Sequence, residues 1–349
     1  THHRRLRRVL RPAMSQKSMR DAINDALHLE MARNPNIIVL GEDVSGGAGG
    51  TSGNREASGG IFGVTKGLLP KFGEHRVIDT PISESAIMGA AAGAALAGLR
   101  PVAELMFADF VGVSLDQIFN QMAKFRYMFG GRTTCPAVVR LAMGAGMNMG
   151  AQHSQTIYPM LTSVPGLKVV IPSNAYDAKG LMLTALRGDD PVMFFEHKAL
   201  YPRKGEVPDG DYTIPFGEAA LVREGEHVTV VALARMVVFA EKAIDSVVKD
   251  GITCDLIDPR TTSPLDIDTI LESIENTGRL VIVDESPPRC SVASDIAGQV
   301  ASRGFRSLKA PVQIVTAPHS PVPFARELER AYVPSPQRIE AAIRKVMQE

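Results

Sequence analysis

The sequence predicts an α/β protein built from two parallel sheets covered by helices, and three observations carry that prediction. Short apolar runs of strand length alternate with stretches whose apolar residues recur at helical spacing. The alternation stops between Lys198 and Phe216, where Pro202, Gly205, Pro208 and Gly210 interrupt any periodicity, and then resumes. The chain has 349 residues, 45% apolar and 22% charged, which is enough for two ordinary cores.

In the first half, Ala22, Ile23, Ala26, Leu27 and Met31 recur at helical spacing and Ile37 to Leu40 form a continuous apolar run, so a helix leads into a buried strand. Residues 45–60 are rich in glycine, offer little to a core, and are expected to form a long mobile loop. Arg76 to Asp79 reads as a brief strand closed by Thr80-Pro81, with Ser83 expected to cap a helix that carries Glu84 in its first turn. The apolar run Ala86–Leu99 has 14 residues, and a helical membrane span takes about 20, so this is a core helix. Strands follow at 102–106, 137–141, 168–171 and 192–195, with helices at 114–127 and 175–187. Beyond the break, strands at 228–233, 254–257, 280–283 and 312–315 alternate with helices at 237–249, 267–276 and 291–303, and two helices near 324–332 and 337–347 close the chain. The expected organisation is a basic arm over 1–15, a first domain over 16–200, a linker over 201–216 and a smaller doubly wound domain over 217–349.

Lys plus Arg and Asp plus Glu are 38 each, a balance that argues against nucleic acid and membrane surfaces as partners. Five arginines within residues 1–13, with no acid, leave the rest of the chain mildly acidic; this segment is an added or upstream stretch, a transit-like piece or a solvated arm. Arg11, Pro12 and the polar 15–17 stretch interrupt any secretory signal. Cys135, Cys254 and Cys290 are odd in number and far apart, so neither a disulfide framework nor a zinc ribbon is expected, and a reducing cytoplasm is the simplest setting. The chain has no G-x-G-x-x-G, no Gly-Lys of a P-loop, no H-E-x-x-H and no G-x-S-x-G, which removes the common nucleotide, zinc-protease and hydrolase readings.

The remaining candidates are individually weak. Glu84 follows a strand-to-helix turn, where exposed N–H groups favour an anion, and position alone favours a structural role by roughly four to one. The alternative is a carboxyl group that exchanges a proton with a bound ring nitrogen. His153 sits in the polar run Ala151–Gln155 after a Gly/Met loop, either as a hydrogen-bonded structural group or as an acid–base imidazole. Phe107, Asp109 and Phe110 close a strand, where an aromatic is usually core but where ligands also stack. Gly89, Gly93 and Ala97 line one helix face with small residues, which favours close packing, here against a partner subunit.

Taken together, GEDV (41–44), GVTKGL (63–68), DTPISES (79–85), GAAAGAALAGLRPVAELMFADF (89–110), DQIFNQMAKFRYMFGG (116–131), AQHSQ (151–155), PGLKVVIPSNAYDAKGLM (165–182) and DLIDPRTTSPLD (255–266) resemble one family over residues 16–349. It is the β subunit of the thiamine-diphosphate-dependent component of 2-oxo acid and acetoin dehydrogenase complexes. The resemblance implies a transketolase-like pyrimidine-binding domain with a parallel sheet, followed by a smaller doubly wound transketolase C-terminal-type domain. It also implies an α2β2 heterotetramer with thiamine diphosphate between an α and a β chain. Magnesium is held mainly by the α chain, through a Gly-Asp-Gly motif before a paired-Asn turn that this sequence lacks, so the chain is half an active site.

By the same resemblance, Glu84 pairs with the aminopyrimidine nitrogen so that the proton on the thiazolium carbon can leave. Phe110 packs on that ring, and His153 lines the cavity for substrate handling or acyl transfer to lipoamide on a dihydrolipoamide acyltransferase core. Ala137, Ala185, Leu186, Gly188 and Asp190 match a structural potassium site, with Gly188 departing from the Asp that related chains often carry. The 45–60 insertion and the segments Gly60–Gly67, Phe125–Gly131 and Phe195–Tyr201 look more like acetoin dehydrogenase β chains than pyruvate or branched-chain ones. The implied substrate is acetoin. Oxidative decarboxylation of pyruvate or a branched 2-oxo acid is the alternative, and a non-catalytic structural subunit the remote one.

Overall fold

A computed structural model describes residues 13–46 and 59–349; the basic segment 1–12 and most of the glycine-rich stretch predicted as a mobile loop lie outside the described residues. Seven strands form the first sheet in the order Thr261–Ser263, Lys168–Val170, Val192–His197, Val138–Met143, Arg100–Leu105, Ile37–Gly41, Val77–Asp79. All neighbours are parallel except the first pair. The period-2 alternation of strands decides which side chain faces which layer. Val138 and Phe194 point into the layer with Ile23 and Leu27 of the helix Met19–Arg33, whereas Val139 and Phe195 point into the opposite layer with Met88 and Ala92 of the helix Glu84–Leu96.

The second sheet has five strands in the order Gln313–Thr316, Leu280–Asp284, Val228–Ala232, Cys254–Asp258, Ala220–Arg223, parallel except for the last. One face, through Val230, Leu256 and Val281, packs on Ile339 and Ile343 of the helix Pro336–Gln348. Its other face, through Val231, Ile257 and Ile282, joins the same apolar layer as Val139 and Phe195 of the first sheet, so one continuous core crosses between the halves.

Three expectations need correction. The stretch predicted as a single helix over 114–127 is broken into a π turn Gln117–Met122 and an α turn Phe125–Met128, and a separate 3-10 turn Ala108–Val113 precedes it. The widened turn presents the Ala123 carbonyl to Gly166, where a Cβ would lie 2.0 Å away; Lys124 adds a 2.8 Å bond to the Pro165 carbonyl. The expected linker is not structureless. Lys204–Pro208 pairs antiparallel with Met14–Ser18, so part of the expected arm and part of the linker form one ribbon against the first half. Ser83 stands at the N-cap position but its hydroxyl makes no capping bond, whereas Ser18 caps its helix through Asp21 N. No helix among the described residues is long and apolar enough to cross a membrane.

Candidate active site

The parallel strands Val77–Asp79, Arg100–Leu105 and Val138–Met143 end on one side of the sheet, and the loops after their carboxyl ends carry Glu84, Phe110 and His153 respectively. Asp79 anchors the first of these loops by accepting the Ser45 N–H at 2.6 Å. Glu84 begins its helix and is only 9% exposed, and no side-chain partner for its carboxylate occurs among the described residues. Its surroundings are acidic: burial, with the charges of Glu84, Asp43 and Glu104, pushes the Glu42 carboxyl upward. Ser85 ties the same turn to the next loop by donating to the Val113 carbonyl at 2.6 Å.

Phe110 and His153 come together. Their ring centroids are 5.5 Å apart, and Phe107 meets the same imidazole at 4.6 Å, both edge-on. Phe62 backs Phe107 at 5.8 Å. The His153 loop is held from outside: Asp109 accepts from the Gln155 N–H and amide at 3.2 and 2.9 Å, and Lys198 donates to the His153 carbonyl. Before it, the Ala145 N–H is held by Glu285 at 2.6 Å and the Gly146 and Asn148 N–H groups by Glu329 at 2.8 and 3.2 Å, so the second domain grips this loop. Gly144 turns the chain here at φ +91°, with His197 where a side chain would sit. His197 itself donates Nε2–H to Glu285 at 2.9 Å while its Nδ1 accepts the Ala199 N–H, and burial drives its pKa downward against the pull of Glu285.

Thr80 Oγ1, Asp109 Oδ2 and Ser154 Oγ in these loops are buried without a partner among the described residues. Buried polar atoms are costly to leave unpaired. Such atoms, with Glu84 unpartnered among the described residues, are of the kind that a bound group offering hydrogen bonds would satisfy.

The five residues matched to a potassium site do not fit an open cation shell. Arg100 donates to the carbonyls of Leu186, at 3.0 Å, and Gly188. Asp190 pairs with Arg126 at 2.7 Å. The Ala137 carbonyl accepts the Val192 N–H at 2.9 Å and the Ala185 carbonyl the Gly188 N–H at 3.3 Å. Two guanidinium groups, always charged, already serve the acceptors a metal would use. Among the described residues no three His, Cys, Asp or Glu side chains converge as metal ligands.

One cluster escaped sequence reasoning. Arg140 is 2% exposed and forms two 2.7 Å bonds to Glu196 and one to Glu104, and Tyr201 donates to Glu196 at 2.6 Å. The signal was present: a single charge inside each of three apolar runs, VAEL, VVRL and FFEH, with complementary signs. Glu104 and Arg140 are register partners.

The family profile described as "Transketolase, pyrimidine binding domain" matches residues 15–204 and that described as "Transketolase, C-terminal domain" matches 217–339. The chain is 56% identical over 330 residues to the β subunit of acetoin:2,6-dichlorophenolindophenol oxidoreductase of Cupriavidus necator, covering 95% of this chain and 97% of that one. The chain belongs to the transketolase-like β subunits of acetoin and 2-oxo acid dehydrogenases. Within this β-subunit family, the subunit of the same name in Bacillus subtilis is 54% identical over 92% of this chain and 94% of its own length. The pyruvate dehydrogenase E1 component β subunit of Bacillus subtilis is 41% identical over 96% of this chain and all of its own length. A solved chain described as a split gene transketolase, inactive beta4 tetramer, shares the fold of this β subunit with a TM-score of 0.75 at 22% identity, covering 95% of this chain and 98% of that one. Membership implies thiamine diphosphate as cofactor and an α partner.

Proposed function

We propose that this chain is the β half of a thiamine-diphosphate-dependent acetoin dehydrogenase, active only with its α subunit. The single observation that carries the reading is Glu84, a largely buried residue at the start of a rigid helix whose carboxylate has no partner among the described residues, in a chain 54–56% identical to acetoin oxidoreductase β subunits. When bound, thiamine diphosphate would supply an acidic thiazolium carbon and a pyrimidine ring nitrogen for Glu84 to pair with. Glu84 holds the proton at the ring nitrogen; the helix start fixes its carboxyl in direction, which is what such a transfer requires. Phe110, backed by Phe107 and Phe62, packs against the ring and keeps water from it. His153 handles a proton of the substrate or of the acyl acceptor.

The assembly we infer is α2β2, with magnesium on the α chain and acyl transfer to lipoamide of an acyltransferase core. The exposed Gly93 and Ala97 on the Glu84 helix supply a smooth face for a neighbouring subunit. We assign domains to 16–200 and 217–349; the free thiols of Cys135, Cys254 and Cys290 support a reducing cytoplasm.

The test is acceptor-linked turnover by the chain co-expressed with its α partner, given thiamine diphosphate and magnesium, on acetoin, pyruvate and branched 2-oxo acids. Preference for acetoin supports carbon–carbon cleavage without decarboxylation. Preference for a 2-oxo acid moves the reaction to oxidative decarboxylation, the alternative reading; the chain is 41% and 42% identical to pyruvate and 2-oxoisovalerate dehydrogenase β subunits.

A further inference from the structure

Lys198 is 1% exposed. It follows the carboxyl end of the strand Val192–His197, in a short 3-10 turn on the same side of the sheet as Phe110 and His153. Burying an ammonium group is costly unless it is paired, and no carboxylate lies within ion-pairing distance of Lys198 among the described residues. Its one protein hydrogen bond there goes to the main-chain carbonyl of His153, 45 residues away in sequence. The same ammonium stands 5.4 Å from the centre of the Phe107 ring, and Phe107 is the ring that meets the His153 imidazole at 4.6 Å. One buried cation therefore touches both the backbone of His153 and the ring that packs on its side chain. It also lines a cavity of about 560 Å³ with Phe62, Met147 and Tyr201.

We propose that Lys198 is a positioning residue for His153: its charge holds the His153 carbonyl and the Phe107 ring together so that the imidazole stays edge-on between Phe107 and Phe110. The inference rests on the role of His153 proposed above. A role that depends on charge has a consequence in pH. The titratable and charged groups around the ammonium are Asp109, Glu285, Glu329, His153 and His197, with Arg20, Asp21 and Lys204 on the cavity wall. Burial outweighs the carboxylates, and the lysine pKa falls to about 8. The ammonium is present at neutral pH and is lost as pH rises through that value.

The experiment measures kcat and KM for acetoin from pH 6 to 9.5 in the α/β enzyme carrying wild-type chain, Lys198→Met, Lys198→Arg or His153→Ala. The wild type is expected to lose kcat about tenfold per pH unit above the lysine pKa. Lys198→Met is expected to lower kcat roughly 10- to 100-fold at pH 7, with KM nearly unchanged and the alkaline limb gone. Lys198→Arg, whose charge does not titrate here, is expected to recover most of that loss and to stay active at pH 9. An alkaline limb that persists in both Lys198 variants, or unchanged kcat in Lys198→Met beside an impaired His153→Ala, overturns the proposal and leaves His153 in place. Unchanged kcat in His153→Ala overturns both. If Lys198→Met fails to assemble, the limb in Lys198→Arg decides.

Discussion

Ser85 Oγ donates to the Val113 carbonyl at 2.6 Å, locking the first turn of the helix that presents Glu84 to the 3-10 turn that presents Phe110. Two candidates that lie 26 residues apart in sequence thus share one mechanical link. Ser85→Ala removes it. Because the hydroxyl is at the surface, the expected loss of stability is only about 1 kcal/mol. The larger effect falls on the site: the thiamine diphosphate Kd of the α/β enzyme is expected to rise roughly three- to tenfold, measured by fluorescence titration.

Arg140 is the charge on which Glu104, Glu196 and Tyr201 converge. Arg140→Met leaves two buried carboxylates facing each other without a cation. The expected destabilisation is about 3–5 kcal/mol, seen as a lower midpoint in urea unfolding. A double variant with Glu104→Gln and Glu196→Gln recovers part of the loss, because the penalty is an uncompensated charge rather than a missing contact.

Asp258 is fully buried, bonded by Ser173 Oγ and the Arg260 N–H. Burial, reinforced by the nearby Asp177 charge, raises its pKa to about 7 from an ordinary 3.8. The folded state then binds a proton that the unfolded chain releases between those values, so this group's contribution falls as pH rises from about 4 and is gone above about 7. Asp258→Asn is expected to narrow the Tm difference between pH 5 and pH 8 and to match or exceed the wild-type Tm at pH 8.

Arg100 and Arg126 occupy the oxygens expected of a potassium site. A ligand that bound only the folded chain would raise its Tm with concentration. Potassium chloride is therefore expected to shift Tm no more than choline chloride at equal ionic strength, and a specific potassium effect counts against the arginine assignment.

Both sheets were legible in the sequence because their strands are continuous apolar runs bounded by Gly or Pro, as at Ile37–Gly41 and Leu280–Asp284. The strands Lys204–Pro208 and Thr261–Ser263 were not, since each forms at an edge through a partner distant in sequence, and no local pattern encodes such pairing. The broken helix over 114–127 was missed for a related reason: the end of its π turn lies against Gly166, a tertiary contact that its own periodicity does not encode. Local position singled out Glu84, Phe110 and His153 but favoured structural roles for each, and only the family motifs gave them roles in a site. Lys198 lay within the segment Phe195–Tyr201 with nothing to single it out; only the fold puts it under the His153 carbonyl.

In the function proposed above, Glu84 of this chain completes a thiamine diphosphate site with the α subunit. The most direct measurement is acetoin-dependent turnover of the α/β enzyme with wild-type chain or Glu84→Gln, at saturating thiamine diphosphate and magnesium, with assembly verified by sedimentation. The account predicts a kcat loss of about 100-fold or more in an intact heteromer. Turnover equal to wild type in the assembled Glu84→Gln enzyme contradicts it.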